Sequence, residues 1–122
     1  MVEELVSAEA FDDLVRDAID ELPEWVEHFV EDIVITVDDA PPADLVGPGR
    51  TLLGLYRGVP RTRYGGRPPG SMPDTITLYR LPILSTCRDA DDVPARVLKV
   101  LGHEVGHAFG LSDERLHELG WY

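Results

Sequence analysis

The stretch His103-Glu104-Val105-Gly106-His107-Ala108-Phe109-Gly110-Leu111-Ser112-Asp113 reads HExxH followed by xxGxxD. On a helix, residues four apart share a face, so the imidazoles of His103 and His107 can reach one zinc ion. Glu104 sits beside them, placed to take a proton from a metal-bound water. Gly110 can end the helix with a positive φ that other residues resist, turning the chain back. Asp113, three residues on, is then placed to be the third ligand. Two imidazoles, one carboxylate and one open position make a catalytic rather than a structural zinc site. The blander reading of the same letters is an amphipathic helix with solvated His and Glu, a Gly stop, and an Asp in the next helix's first turn.

Around this motif the spacing predicts a helix over roughly residues 93–109. Val93, Val97, Leu101, Val105 and Ala108 form its core stripe, with His103 and His107 nearly opposite at a cleft. Asp91 or Asp92 is its expected cap, and Pro94 fits its first turn. Gly102 and Gly106 each cost about 1 kcal/mol against Ala in a helix interior. Being four apart, they imply that another backbone, a strand or the N-terminal helix, packs close on that side. Ser112 can cap a last helix over residues 113–119, with Leu111 and Leu116 as a hydrophobic staple.

Further upstream, Ser7 is a fitting N-cap. Phe11, Leu14, Val15, Ala18, Ile19 and Leu22 follow at helical spacing. Pro23 stops that helix and can begin another, with Trp25, Val26 and Phe29 as its apolar side. Ile33-Val34-Ile35-Thr36-Val37 reads as a strand, residues 38–49 as a Pro-containing loop, and Leu52-Leu53-Gly54-Leu55-Tyr56 as a second strand. Residues 57–73 are rich in Gly, Pro and Arg, and loops of that length are usually functional or mobile. Thr75-Ile76-Thr77-Leu78-Tyr79 alternates polar with apolar, giving a third strand, expected at the sheet edge. Residues 80–88 read as a connection.

Length bounds the chain to one domain, residues 1–122. Net charge is −12, distributed unevenly: −14 over residues 1–48, +6 over 49–88 and −4 over 89–122. The acidic total argues against nucleic acid, whose phosphates would be repelled. The basic middle is explained either as a local anion site or as the partner of the acidic N-terminal helix. No apolar run approaches the 18 or so residues of a membrane span, and Met1-Val2-Glu3-Glu4 is acidic where a signal peptide is basic. The lone cysteine, Cys87, agrees with a reducing compartment. A cytoplasmic protein is expected, with no membrane partner; oligomeric state stays open.

Other candidates carry less. His117 could replace Asp113 as a ligand, but in the last helix it reads as surface. His28, between Glu24 and Asp32, reads as a solvated helix face. Cys87 reads as a small apolar residue without the paired His of a thiol nucleophile. Tyr56, Tyr64, Tyr79 and the nearby arginines are the candidates for stabilising an oxyanion.

The compact xxGxxD ending resembles the metzincins, with Asp replacing their third His. Added to this are Asp113-Glu114-Arg115-Leu116-His117-Glu118-Leu119-Gly120 after the motif, and Leu52-Leu53-Gly54-Leu55-Tyr56-Arg57-Gly58-Val59-Pro60 and Pro73-Asp74-Thr75-Ile76-Thr77-Leu78-Tyr79-Arg80 before it. Together they resemble a small bacterial family of minimal zincin-like metallopeptidases, over about residues 11–121. The resemblance implies an α+β fold: a small mixed or antiparallel sheet of three to four strands packed on the active-site helix and an N-terminal helix. It implies Zn2+ held by His103, His107 and Asp113, with Glu104 as general base. Only 15 residues follow His107, which leaves no room for the second-helix Glu of gluzincins or for a metzincin Met turn. Met72 could serve from upstream, although a loop Met more often reads as apolar filler.

Three functions follow as expectations. The first is zinc-dependent hydrolysis of a peptide or protein substrate, slow or narrowly specific. Arg57, Arg61, Arg63 and Arg67 of the 57–73 loop would then favour acidic peptides. The alternative is a non-catalytic zinc-binding adaptor or regulatory module. The third is a plain α+β interaction domain using its acidic N-terminal surface.

Overall fold

Backbone chemistry sets the order of elements in the computed structural model, which describes residues 6–58 and 73–120. Helix α1 spans Ala8–Glu21 and starts where the Ser7 hydroxyl accepts the Ala10 amide at 3.2 Å. Phe11, Val15 and Ala18 fall on its buried face. The chain turns extended at Leu22, and Pro23, with φ −55°, opens the seven-residue α2 (Glu24–Val30). Val26, Phe29 and Val30 are buried. The side chain of Trp25, expected beside them, lies outside the described residues.

Three strands follow: β1 (Ile33–Asp38), β2 (Gly54–Arg57) and β3 (Asp74–Tyr79), in the order β1-β3-β2. β1 runs parallel to β3, pairing Ile35 with Ile76, while β2 runs antiparallel, pairing Gly54 with Leu78. The sheet is therefore mixed, and the architecture is α+β. The third strand is central, which corrects its expected place at the edge. Alternation in Thr75-Ile76-Thr77-Leu78-Tyr79 reports which face is buried and carries no information about neighbours. The edge beside the motif helix belongs to β2. Its pairing begins at Gly54, after the Leu53 carbonyl has accepted the Tyr79 amide at 2.9 Å.

The expected connection over residues 80–88 contains a helix, α3 (Arg80–Ser85), with Pro82 in its first turn. Arg80 is buried at 8% exposure; its guanidinium donates to Asp39 Oδ1 at 2.9 Å and to the Val6 carbonyl at 3.0 Å. Part of the basic middle segment thus serves the interior. Its partners are a loop carboxylate and a main-chain carbonyl instead of the acidic face of α1.

Helix α4 (Val93–Ala108) packs on the sheet. Val93, Val97 and Leu101 are fully buried, as are Ile76 and Leu78 of β3. Burying a side chain of this size contributes roughly 1.5–3 kcal/mol. Asp92 occupies the cap position, but its carboxylate does not cap. It accepts the Arg88 amide at 2.9 Å and the Arg88 guanidinium at 3.1 Å, while Asp89 caps the preceding turn. Helix α5 (Asp113–Glu118) is capped by the Ser112 hydroxyl, which accepts the Arg115 amide at 3.1 Å. Among the described residues no helix is long and apolar enough to cross a membrane.

At Gly106 the close neighbour differs from the expected backbone. A Cβ on Gly106 would lie 2.2 Å from Leu116 Cδ2, so the close neighbour is a side chain of α5. Both α1 and β2 run close to α4. A Cβ on Gly54 would meet Val100 Cγ1 at 3.1 Å and Glu104 Cγ at 3.2 Å.

Candidate metal centre

The end of α4 builds the site. Gly110 has φ +89°, as the motif predicts. The Gly110 amide donates to the His107 carbonyl at 2.8 Å and the Leu111 amide to the Gly106 carbonyl at 3.0 Å, a Schellman closure. This turn brings the Leu111 carbonyl back to His107 Nδ1 at 3.2 Å. With Nδ1–H donating there, Nε2 is left as the lone-pair nitrogen facing the cleft. Ser112 then starts α5, and Asp113 is its first residue.

The structure brings His103, His107 and Asp113 together. Nε2 of His103 and Nε2 of His107 are 3.0 Å apart. Asp113 Oδ1 is 3.1 Å from His107 Nε2 and 3.5 Å from His103 Nε2. Three ligands bonded tetrahedrally to zinc at roughly 2.0–2.1 Å stand about 3.3–3.4 Å from one another. The donor set and its size fit such an ion. Both histidines are part-buried and Asp113 is exposed, so one side of the triangle stays open.

Glu104 also lies within 4.8 Å of both imidazoles and could be taken for a ligand. Only 7% exposed, it lies against β2, where the Tyr56 backbone amide donates to its carboxylate. Burial raises its pKa above the usual carboxylate value, opposed by the two histidines and the Tyr56 amide and reinforced by Asp113. Asp113 Oδ1 stands at ligand spacing from both imidazoles.

Sequence reasoning missed the contribution of β2. Gly54 in a strand interior, flanked by Leu53 and Leu55, was the available sign of close backbone approach. Tyr56 lines the cleft, and its hydroxyl donates to the buried Asp74 at 2.8 Å. Tyr79 is buried in the interior, and burial raises its pKa. Tyr64, Met72, Arg61, Arg63 and Arg67 lie outside the described residues. His117 is exposed on α5 and does not line the cleft. His28 is exposed, 3.8 Å from Glu31, and Cys87 packs against the core.

No curated protein matches the chain. The family model described as zincin-like metallopeptidase matches residues 30–121, from the end of α2 through β1, β2, β3 and both helices of the site. With three-quarters of the sequence matched and the HExxH helix, the glycine turn and the mixed sheet in place, the chain belongs to the zincin-like metallopeptidases.

Proposed function

We propose that this chain is a zinc-dependent peptidase in which His103, His107 and Asp113 hold the metal and Glu104 is the general base. The observation that carries this reading is the triangle of two Nε2 atoms and one Oδ1, with sides of 3.0, 3.1 and 3.5 Å. Bound there, zinc supplies a Lewis acid that lowers the pKa of a water towards about 7 and polarises a carbonyl. Glu104 accepts the attacking water's proton on its carboxylate and returns it to the leaving amine. Its buried surroundings make it a better base than a solvated carboxylate, and the Tyr56 amide holds it in place. The substrate is an extended peptide lying along the outer edge of β2. Leu53 turns its carbonyl to β3, so Gly54, one residue on, turns its amide and carbonyl away from the sheet.

The test compares zinc-loaded wild type with Glu104→Gln on a diverse peptide library, read by mass spectrometry. Glu104→Gln should keep its zinc and lose turnover by about 100-fold or more. Equal turnover would remove Glu104 from the chemistry. A wild type that holds zinc and cleaves nothing would leave the non-catalytic zinc-binding module as the reading.

A further inference from the structure

A second cavity of about 300 Å³ opens on the other side of β2's first residue and is continuous with the metal centre. Leu52, Gly54, His103 and Glu104 line both spaces. Its floor is apolar, formed by Leu52, Leu53 and Val100, and its rim carries Arg96 and Lys99. Both cations share the α4 face of the site histidines: Lys99 stands four residues and Arg96 seven residues before His103. Neither has a hydrogen-bond or ion-pair partner among the described residues. Asp91 and Asp92 lie on the far side of Arg96 and Lys99, and Arg96 acts on Asp92 through its charge alone, the Asp92 carboxylate being bonded to Arg88. Two cations beside a cleft, with no hydrogen bond or ion pair to hold them, are conspicuous in a chain of net charge −12.

Resting on the peptidase reading, we propose that Arg96 and Lys99 form a subsite for a substrate carboxylate, carried on an aliphatic stem, two or three residues from the bond that is cut. The stem lies over Leu52, Leu53 and Val100, and the carboxylate reaches the cationic rim. Lys99 and Arg96 stand roughly 6 and 10 Å from His103 along the helix axis. An extended peptide advances about 3.3 Å per residue, which gives the two- to three-residue spacing. A glutamate side chain matches better than aspartate, because its longer stem covers more of the apolar floor. The free carboxylate at a peptide's C-terminus offers the same chemistry from a second source.

The experiment uses zinc-loaded full chain and peptides in which Glu, Gln and Lys are scanned through each position, with free or amidated C-termini. Glutamate two or three residues from the cut should raise cleavage roughly tenfold over glutamine, and added salt should erode the gain. Lys99→Glu should reverse the preference towards lysine, with Arg96→Gln giving a smaller loss; both variants should melt near the wild type. Loss of the preference on amidation assigns the carboxylate to the chain end, and persistence assigns it to the side chain. Cleavage with no Glu-to-Gln difference, or a preference untouched by Lys99→Glu, overturns the subsite and leaves the peptidase reading intact. If nothing is cleaved, the peptidase reading fails, and binding decides the subsite separately. Labelled Glu and Gln peptides are then titrated onto Glu104→Gln protein, where equal affinities overturn the proposal and a Glu advantage abolished by Lys99→Glu supports it.

Discussion

Replacing Gly106 by Ala tests how α5 is held against the motif helix. The new Cβ would stand 2.2 Å from Leu116 Cδ2 and 3.3 Å from its Cγ. Carbon atoms rest at about 3.5–4.0 Å, so Leu116 must yield by well over 1 Å. Leu116 is only 1% exposed, so its side chain has little free space to turn into. Two effects then oppose each other. Ala gains about 1 kcal/mol over Gly in a helix interior. Overpacking costs about 1–3 kcal/mol. The expected net result is a loss of up to about 2 kcal/mol, or several degrees in melting temperature for a chain of this length. Because Leu116 and Asp113 share the first turn of α5, the same displacement should weaken zinc by about 10- to 100-fold. The assay is a double-mutant cycle with Leu116→Ala, followed by denaturant unfolding and chelator competition. Leu116→Ala alone should cost about 2–5 kcal/mol. In the Gly106→Ala background it should cost about 1–3 kcal/mol less, since the methyl occupies the vacated space. Additive effects, or a Gly106→Ala protein that melts above wild type with unchanged zinc affinity, would refute the reasoning.

Asp113→Ala should lower zinc affinity beyond the roughly 100-fold ceiling of outer-shell losses, while Asp113→His keeps it. A larger loss from His117→Ala in the same titration would displace Asp113 as third ligand. Gly110→Val places a β-branched residue at φ +89°, costing at least about 1–2 kcal/mol and withdrawing the Leu111 carbonyl from His107. Stability and zinc affinity should fall together; an unchanged urea midpoint would contradict this. For metal-free protein, Glu104 has a raised folded-state pKa, caused chiefly by burial. Its contribution to stability is therefore complete below the unfolded carboxyl value near about 4.3 and is lost as pH rises through the folded value. Metal-free Glu104→Gln, which does not titrate, should gain on wild type as pH rises from acid to neutral. A stability difference that is flat with pH would show that burial does not penalise the carboxylate.

The motif helix, its glycine stop and the capped last helix were legible because each depends on neighbours within four residues. Ser7, Pro23, Gly110 and Ser112 do in the structure what their backbone preferences dictate. Strand order was not legible, since pairing partners are chosen by contacts distant in sequence. The alternation of β3 says equally well that it is central or at an edge. Residues 80–88 read as a connection because their apolar run, Leu81-Pro82-Ile83-Leu84, is too short for periodicity to show a helix. At the site, the three residues that converge lie in an eleven-residue stretch and were found from spacing. The hold of β2 on Glu104 was missed because it is made by a backbone amide, which every residue but proline possesses.

On the proposed site, the compactness of that stretch would tie metal binding only loosely to the rest of the fold. All three convergent side chains lie between residues 103 and 113, joined by hydrogen bonds of the same segment. Closing so short a loop costs little chain entropy, and no strand has to be in place for it to close. With zinc held as proposed, a partly unfolded molecule should keep part of its hold on the ion. Ligand that also binds the unfolded form protects the native form less than its affinity would give by mass action. Glu104 differs, because its anchor on Tyr56 is drawn from a strand nearly fifty residues upstream. Heating or denaturant should silence proton transfer while the ion is still held, so occupancy and turnover should be lost in two separable steps.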